Sequence, residues 1–250
     1  MGDLVGNQAQ AALAVYVVYP SRQGKNAAVV AMGELGGDGC AALYGRFDHE
    51  HRVGLARDVV EADDELVAAE PLVHDPIALT FAPDGRLWVV EMTGYMENFD
   101  GTTEDQPKGS VVVLTDTDGD GRMDQRTVFL DNIILPRALI LHRDGALVGA
   151  PPHLWFCRDT NGDGKADEKI EVATDFGVRV DPARPQLANP ERAPNGLLWG
   201  HDGWLYVGAY AARFKFAEGK WVRANSNFRG QWGLAQDDYG RLYSNNNSDL

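Results

Sequence analysis

The sequence predicts an all-β chain, a β-propeller of four-stranded antiparallel blades of which about three and a half are present. Three observations carry this. Short apolar runs straddle an Asp-Gly turn four times. A second strand pair follows each of the first three hairpins. A nine-residue acidic loop joins that second pair in two successive units. Residues 65–250 form the partial propeller domain, and residues 1–64 are an unassigned N-terminal segment that does not follow the repeat.

The first hairpin runs Ile77–Phe81, Asp84-Gly85, Leu87–Val90. The second is Ala138–Leu141, Asp144-Gly145, Ala146–Val148. The third is Leu197–Trp199, Asp202-Gly203, Trp204–Val207. The fourth is Trp232–Leu234, Asp238-Tyr239-Gly240, Leu242-Tyr243. The turn glycines lie 60, 58 and 37 residues apart. In the third unit Arg213–Phe216 and Trp221–Arg223 form the second pair around Glu218-Gly219-Lys220. Propellers close with about four to eight blades, so a repeat that stops within a fourth unit reads as part of a longer protein. In the N-terminal segment Val15–Tyr19 and Ala27–Ala31 have strand character and suit a hairpin.

The acidic loops read D-x-[DN]-G-D-G-x-x-D. Asp116-Thr117-Asp118-Gly119-Asp120-Gly121-Arg122-Met123-Asp124 is answered by Asp159-Thr160-Asn161-Gly162-Asp163-Gly164-Lys165-Ala166-Asp167. Calcium is a hard cation that takes six to eight oxygens, and alternate residues of a tight loop supply them. Side-chain oxygens come from Asp116, Asp118, Asp120 and Asp124, and from Asp159, Asn161, Asp163 and Asp167. Backbone carbonyls of Arg122 and Lys165 take the seventh position. The twelfth position holds Thr127 or Ile170 where a helix–loop–helix hand has Glu, and the flanks have strand character. The expectation is a structural metal that fastens a hairpin turn. The alternative is a pair of Asp/Gly-rich turns that bind nothing.

Composition bounds the function classes. The chain has 250 residues, 44% hydrophobic and 24% charged, which suits a globular protein with a sizeable core. A net charge of −14 disfavours nucleic acid. The two loops hold seven of the aspartates. Cys40 and Cys157 make no disulfide scaffold, and Cys157 lies in an apolar strand, where a buried free thiol is expected. No apolar run approaches the roughly 18 residues of a membrane span, and no signal peptide is evident. Calcium loops favour a periplasmic or extracellular setting. Phosphate loops, dinucleotide fingerprints, a Ser-His-Asp order and a C-x-x-C-H haem motif are all missing from the sequence.

Several segments stand out together: Leu66–Val73, Gly85–Met92, Phe156–Lys169, Asn195–Trp199, Arg229–Gly233 and Asp237–Tyr243. Over residues 65–250 they resemble the N-terminal β-propeller of planctomycete-type membrane-bound dehydrogenases. That family is similar to the glucose/sorbosone dehydrogenases, six-bladed propellers that use pyrroloquinoline quinone. The resemblance implies an oxidoreductase that moves hydride from a sugar or alcohol to the quinone. A cytochrome c domain of the full-length protein would receive the electrons. Relatives often carry a His after the acidic residue that precedes the Asn-Gly motif, where this chain has Arg192 after Glu191. An arginine stays protonated at working pH and cannot take a hydroxyl proton, so the catalytic base is unassigned.

Given that resemblance, the residue seven before each turn Asp gains interest. It is Ile77, Arg137, Asn195 and Gln231. Inner strands line a propeller's channel, so these positions share one register at its mouth. A planar tricarboxylate needs a guanidinium and amide donors, which Arg137, Asn195 and Gln231 would supply, with Glu91 at the end of the next strand. The competing reading is that these groups bond neighbouring blades or channel water. A noncatalytic calcium-stiffened propeller that binds glycan or protein in a cell-envelope assembly therefore stands beside the dehydrogenase.

Overall fold

The computed structural model describes residues 12–18, 29–35, 46–47, 53–54, 65–177, 193–227, 230 and 233–245. Its strands in chain order are β1 (Ala12–Val18), β2 (Val29–Leu35), β3 (Arg46–Phe47), β4 (Val53–Gly54), β5 (Glu65–Ala69), β6 (Pro76–Phe81), β7 (Leu87–Glu91), β8 (Gly109–Thr115), β9 (Gln125–Ile133), β10 (Ala138–His142), β11 (Gly145–Ala150), β12 (His153–Arg158), β13 (Glu168–Ala173), β14 (Asn195–Trp199), β15 (Leu205–Gly208), β16 (Ala212–Ala217), β17 (Lys220–Asn225), β18 (Gly233–Gln236) and β19 (Leu242–Asn245). The described residues are all-β, and none of them forms a helix able to cross a membrane.

Three antiparallel sheets of four sequential strands follow one another: β6–β9, β10–β13 and β14–β17. β18 and β19 form a two-stranded sheet, and β3 pairs with β4. β1 pairs with β2, and β2 with β5, both antiparallel. The hairpin expected near the N-terminus is thus present as backbone pairing, with its second strand shifted toward Leu35. The first strands stand side by side: β10 contacts β6 and β14, and β14 contacts β18.

Alternation along the strands sends each side chain to one of two cores. In β7, Trp88 and Val90 face the second sheet, where they meet Leu139, Ala146, Val148 and Cys157. Leu87 and Val89 face the other way, onto Val67, Ala68 and Val73. In the second sheet Leu147, Leu154 and Phe156 turn toward the third and meet Leu205, Val207 and Phe214. The first and second sheets are therefore buried on both faces. That explains why β7 and β11 read as unbroken apolar runs rather than alternating ones.

Three of the four hairpins share one turn. Gly85 donates to Ala82, Gly203 to Gly200 and Gly240 to Asp237, each at 2.8–2.9 Å. The second hairpin departs from the Asp-Gly turn read in its sequence. His142 pairs with Gly145, and the two turn residues are Arg143, at φ +52°, and Asp144. Gly145 is a strand residue. A Cβ there would lie 2.4 Å from the Cys157 carbonyl, so this glycine serves close strand approach instead of the turn.

Candidate functional site

Both acidic loops connect the third strand of a sheet to the fourth, β8 to β9 and β12 to β13. They repeat bond for bond. Gly119 and Gly121 donate to the two oxygens of Asp116 at 2.7 and 2.9 Å. Gly162 and Gly164 donate to the two oxygens of Asp159 at 2.7 and 2.8 Å. The four glycines hold φ between +79° and +91°, a region costly for any side chain. The amides of Arg122 and Lys165 donate to Asp120 and Asp163. These bonds, led by the Gly121 and Gly164 amides, hold the carboxyls of Asp116 and Asp159 below their ordinary pKa.

The carboxylates of Asp116, Asp118 and Asp120 present oxygens within 4.8 Å of one another. Such an all-oxygen donor set suits a hard cation. The second loop matches it with Asp159, Asn161 and Asp163; the Asp163 amide donates to Asn161 Oδ1 at 2.9 Å. The ninth residues also hold the turn. Asp124 accepts from the amide and hydroxyl of Thr117 at 3.1 and 2.7 Å, and Asp167 accepts from Thr160 likewise at 2.9 Å. Both threonines are legible in the sequence as identical second residues of the repeat, but nothing in the spacing marks them as partners of the ninth residue.

The candidate quinone residues are placed differently from an open cradle. Arg137 precedes β10 and is 1% exposed. Its guanidinium lies against Met92 Sδ at 4.0 Å, near the Tyr95 phenol and within electrostatic reach of buried Glu104. Burial lowers its pKa to about 10, so it remains a cation at neutral pH. Asn195 opens β14, is fully buried and donates to the Ala193 carbonyl at 3.1 Å. Glu91 ends β7 and is 2% exposed; its carboxylate accepts from the His74 amide, the Ser110 hydroxyl and Arg126 at 3.0, 2.6 and 2.8 Å. Ile77 lies in β6 at the residue that the β6–β7 pairing skips. Gln231, Glu191 and Arg192 lie outside the described residues. Buried to this degree, Arg137, Asn195 and Glu91 do not fit a planar tricarboxylate in this arrangement. Arg137 packs against Met92, Tyr95 and Glu104, neighbours that spacing alone does not reveal.

Among the described residues, the histidines are structural or solvated. His153 meets Glu171 at 2.6 Å and stacks on Trp155. The His201 amide donates to Gln236. His142 sits among Phe156, Trp199, Phe216 and Trp221, with ring centroids 5.0–5.8 Å away, and burial lowers its pKa. Cys157 is a buried free thiol, as its apolar strand predicts, and burial raises its pKa to about 12.

Comparison with curated proteins finds no match. Residues 59–250 match a family model described as a domain of unknown function, DUF7133, and the chain belongs to that family.

Proposed function

We propose that residues 65–250 are part of a β-propeller whose acidic loops bind calcium, and that this calcium-stiffened domain is a noncatalytic platform for glycan or protein in the cell envelope. The repeated loop carries the reading. Two loops 43 residues apart use the same Asp, glycine and threonine bonds, and the first gathers three carboxylates within 4.8 Å. Without a cation such clustering is electrostatically costly. With one, a turn that has little apolar content becomes rigid. The propeller reading is supported by three successive four-stranded sheets, stacked face on face, with their first strands adjacent.

Calcium titration of the chelator-treated chain by calorimetry, together with melting curves, tests this. The expected result is heat of binding at two sites and a raised Tm. No heat and an unchanged Tm sink the calcium reading.

The second reading is the quinone-dependent sugar or alcohol dehydrogenase. Its support is the sequence resemblance and the placement of Arg137 just before β10 and of Asn195 at the start of β14. It requires Arg137 to exchange its Met92, Tyr95 and Glu104 surroundings for the cofactor. Dye reduction with a panel of sugars in the presence of calcium and pyrroloquinoline quinone distinguishes the two.

A further inference from the structure

Each acidic loop is bonded to the sheet before its own. The amide of its eighth residue is the donor: Met123 to the carbonyl of Val67 at 2.8 Å, and Ala166 to that of Phe129 at 2.7 Å. Both acceptors are residues that the strand register skips. Val111 pairs with Leu130 and Val112 with Val128, which leaves Phe129 as the extra residue of β9. Val30 pairs with Ala68 and Ala31 with Leu66, which leaves Val67 as the extra residue of β5. The same skip recurs at Val172 in β13, between Ala173 and Glu171. A bulge frees a carbonyl from the ladder and points it off the sheet. β9 and β13 are fourth strands, so β5, with the same bulge and the same docked loop, is a fourth strand too.

The rest of the N-terminal sheet follows. β2 pairs with β5 and takes the third place, and β1 takes the second. The stacking agrees: β1 contacts β6 as β7 contacts β10 and β15 contacts β18, a second strand against the next first strand each time. Val67 and Ala68 pack on Leu87, Val89, Val112 and Leu114, as the first sheet packs on the second.

We infer that the β1–β2–β5 sheet is a further unit of the same repeat, and that the outward edge of β1 seats its first strand, supplied by a separate extended segment running antiparallel to β1. Among the described strands β1 pairs only with β2. The seat adjoins β6, where half-buried Leu79 and Phe81 face the core shared with β5. It therefore continues the row of first strands β6, β10, β14 and β18. The occupant has their chemistry: an extended backbone to complete the ladder and apolar side chains at alternate positions to meet Leu79 and Phe81. The inference rests on the repeat of sheets and docking bonds, and stands apart from calcium and quinone.

The probe is a synthetic peptide with the sequence of residues 136–143, a first strand of this chain, added in excess to the full chain. Hydrogen exchange is then followed over Ala12–Val18. The expected result is about tenfold slower exchange in β1, with no effect from a scrambled peptide or from one N-methylated at alternate residues. No slowing at saturating peptide, or slowing confined to β19, overturns the inference. Exchange in β1 as slow as in β7 before any peptide is added also overturns it, because the chain then fills the seat itself.

Discussion

The amide of Ala166 donates to the carbonyl of Phe129 at 2.7 Å, joining the second acidic loop to the fourth strand of the sheet before it. Met123 and Val67 make the same bond one unit earlier, at 2.8 Å. The loops are thus fasteners between sheets as well as turns within them. Their side chains at this position continue the function. Met123 is buried in the core beneath the first sheet, and Ala166 packs on the core between the first and second. The third sheet has only a Glu218-Gly219 turn at the corresponding place. It is tied to the second sheet by Asp175, which accepts Arg223 at 2.7 and 2.9 Å and the Tyr210 hydroxyl at 2.6 Å, and by Trp199 Nε1, which donates to the Leu141 carbonyl at 3.2 Å.

Removing the fastening donor should destabilise the chain. Ala166→Pro deletes the N–H and leaves the Phe129 carbonyl without it, at a cost of about 1–3 kcal/mol. Ala166→Gly keeps the N–H and should cost less. Urea melts of the two variants check this, and equal losses would assign the effect to side-chain packing.

The two loops should differ in calcium affinity. Asp124 and Asp167 are both held by their threonines, so the difference falls on Asp118 against Asn161. One more carboxylate should make the first loop the tighter site. Asp118→Asn should bring it down to the second, and Asn161→Asp should raise the second to the first. Calorimetry on the two single variants reads the order directly.

The strands and loops were legible because they depend on local chemistry. Asp-Gly turns, alternating apolar runs and a fixed acidic spacing leave marks a few residues apart. Gly145 was misleading because a glycine needed for a turn and one needed under the Cys157 carbonyl look alike in sequence. Arg137 was misleading for another reason. Its partners, Met92, Tyr95 and Glu104, lie 45, 42 and 33 residues away, and nothing local marks a guanidinium as buried. Val67 was invisible as a docking carbonyl because a bulge is a property of two strands, not of one.

Gly109 should tolerate no side chain. A Cβ there would lie 2.3 Å from Pro136 Cδ and 2.9 Å from the Ile133 carbonyl. Backbone and a proline ring cannot step aside as a flexible side chain can. Gly109→Ala should cost about 1–3 kcal/mol, measured as a lowered Tm. The contrasting variant is Gly119→Ala, where space is open and only the φ of +79° resists, so its loss comes from backbone strain.

Cys157 should be inert in the folded chain. It is fully buried, and its thiol is pushed up to about 12 by that burial, so little thiolate exists at neutral pH. Iodoacetamide at pH 8 should label it only after denaturant is added. Rapid labelling under native conditions would mean that the first and second sheets separate readily.

Acid should loosen the tie between the second and third sheets. The Arg223 guanidinium, with help from the Tyr210 hydroxyl, holds the Asp175 carboxyl below its ordinary value of 3.8. A carboxyl with a depressed folded pKa contributes stability that is present above the unfolded value and is lost as pH falls through the folded one. The window therefore opens below about pH 4. Asp175 is 52% exposed, so solvent screening limits the contribution to about 0.5–1 kcal/mol. Melting curves of the wild type and Asp175→Asn should differ at pH 7 and converge as pH drops below this window. A difference that stays constant from pH 7 to pH 3 would show that the asparagine acts through packing and not through the ion pair.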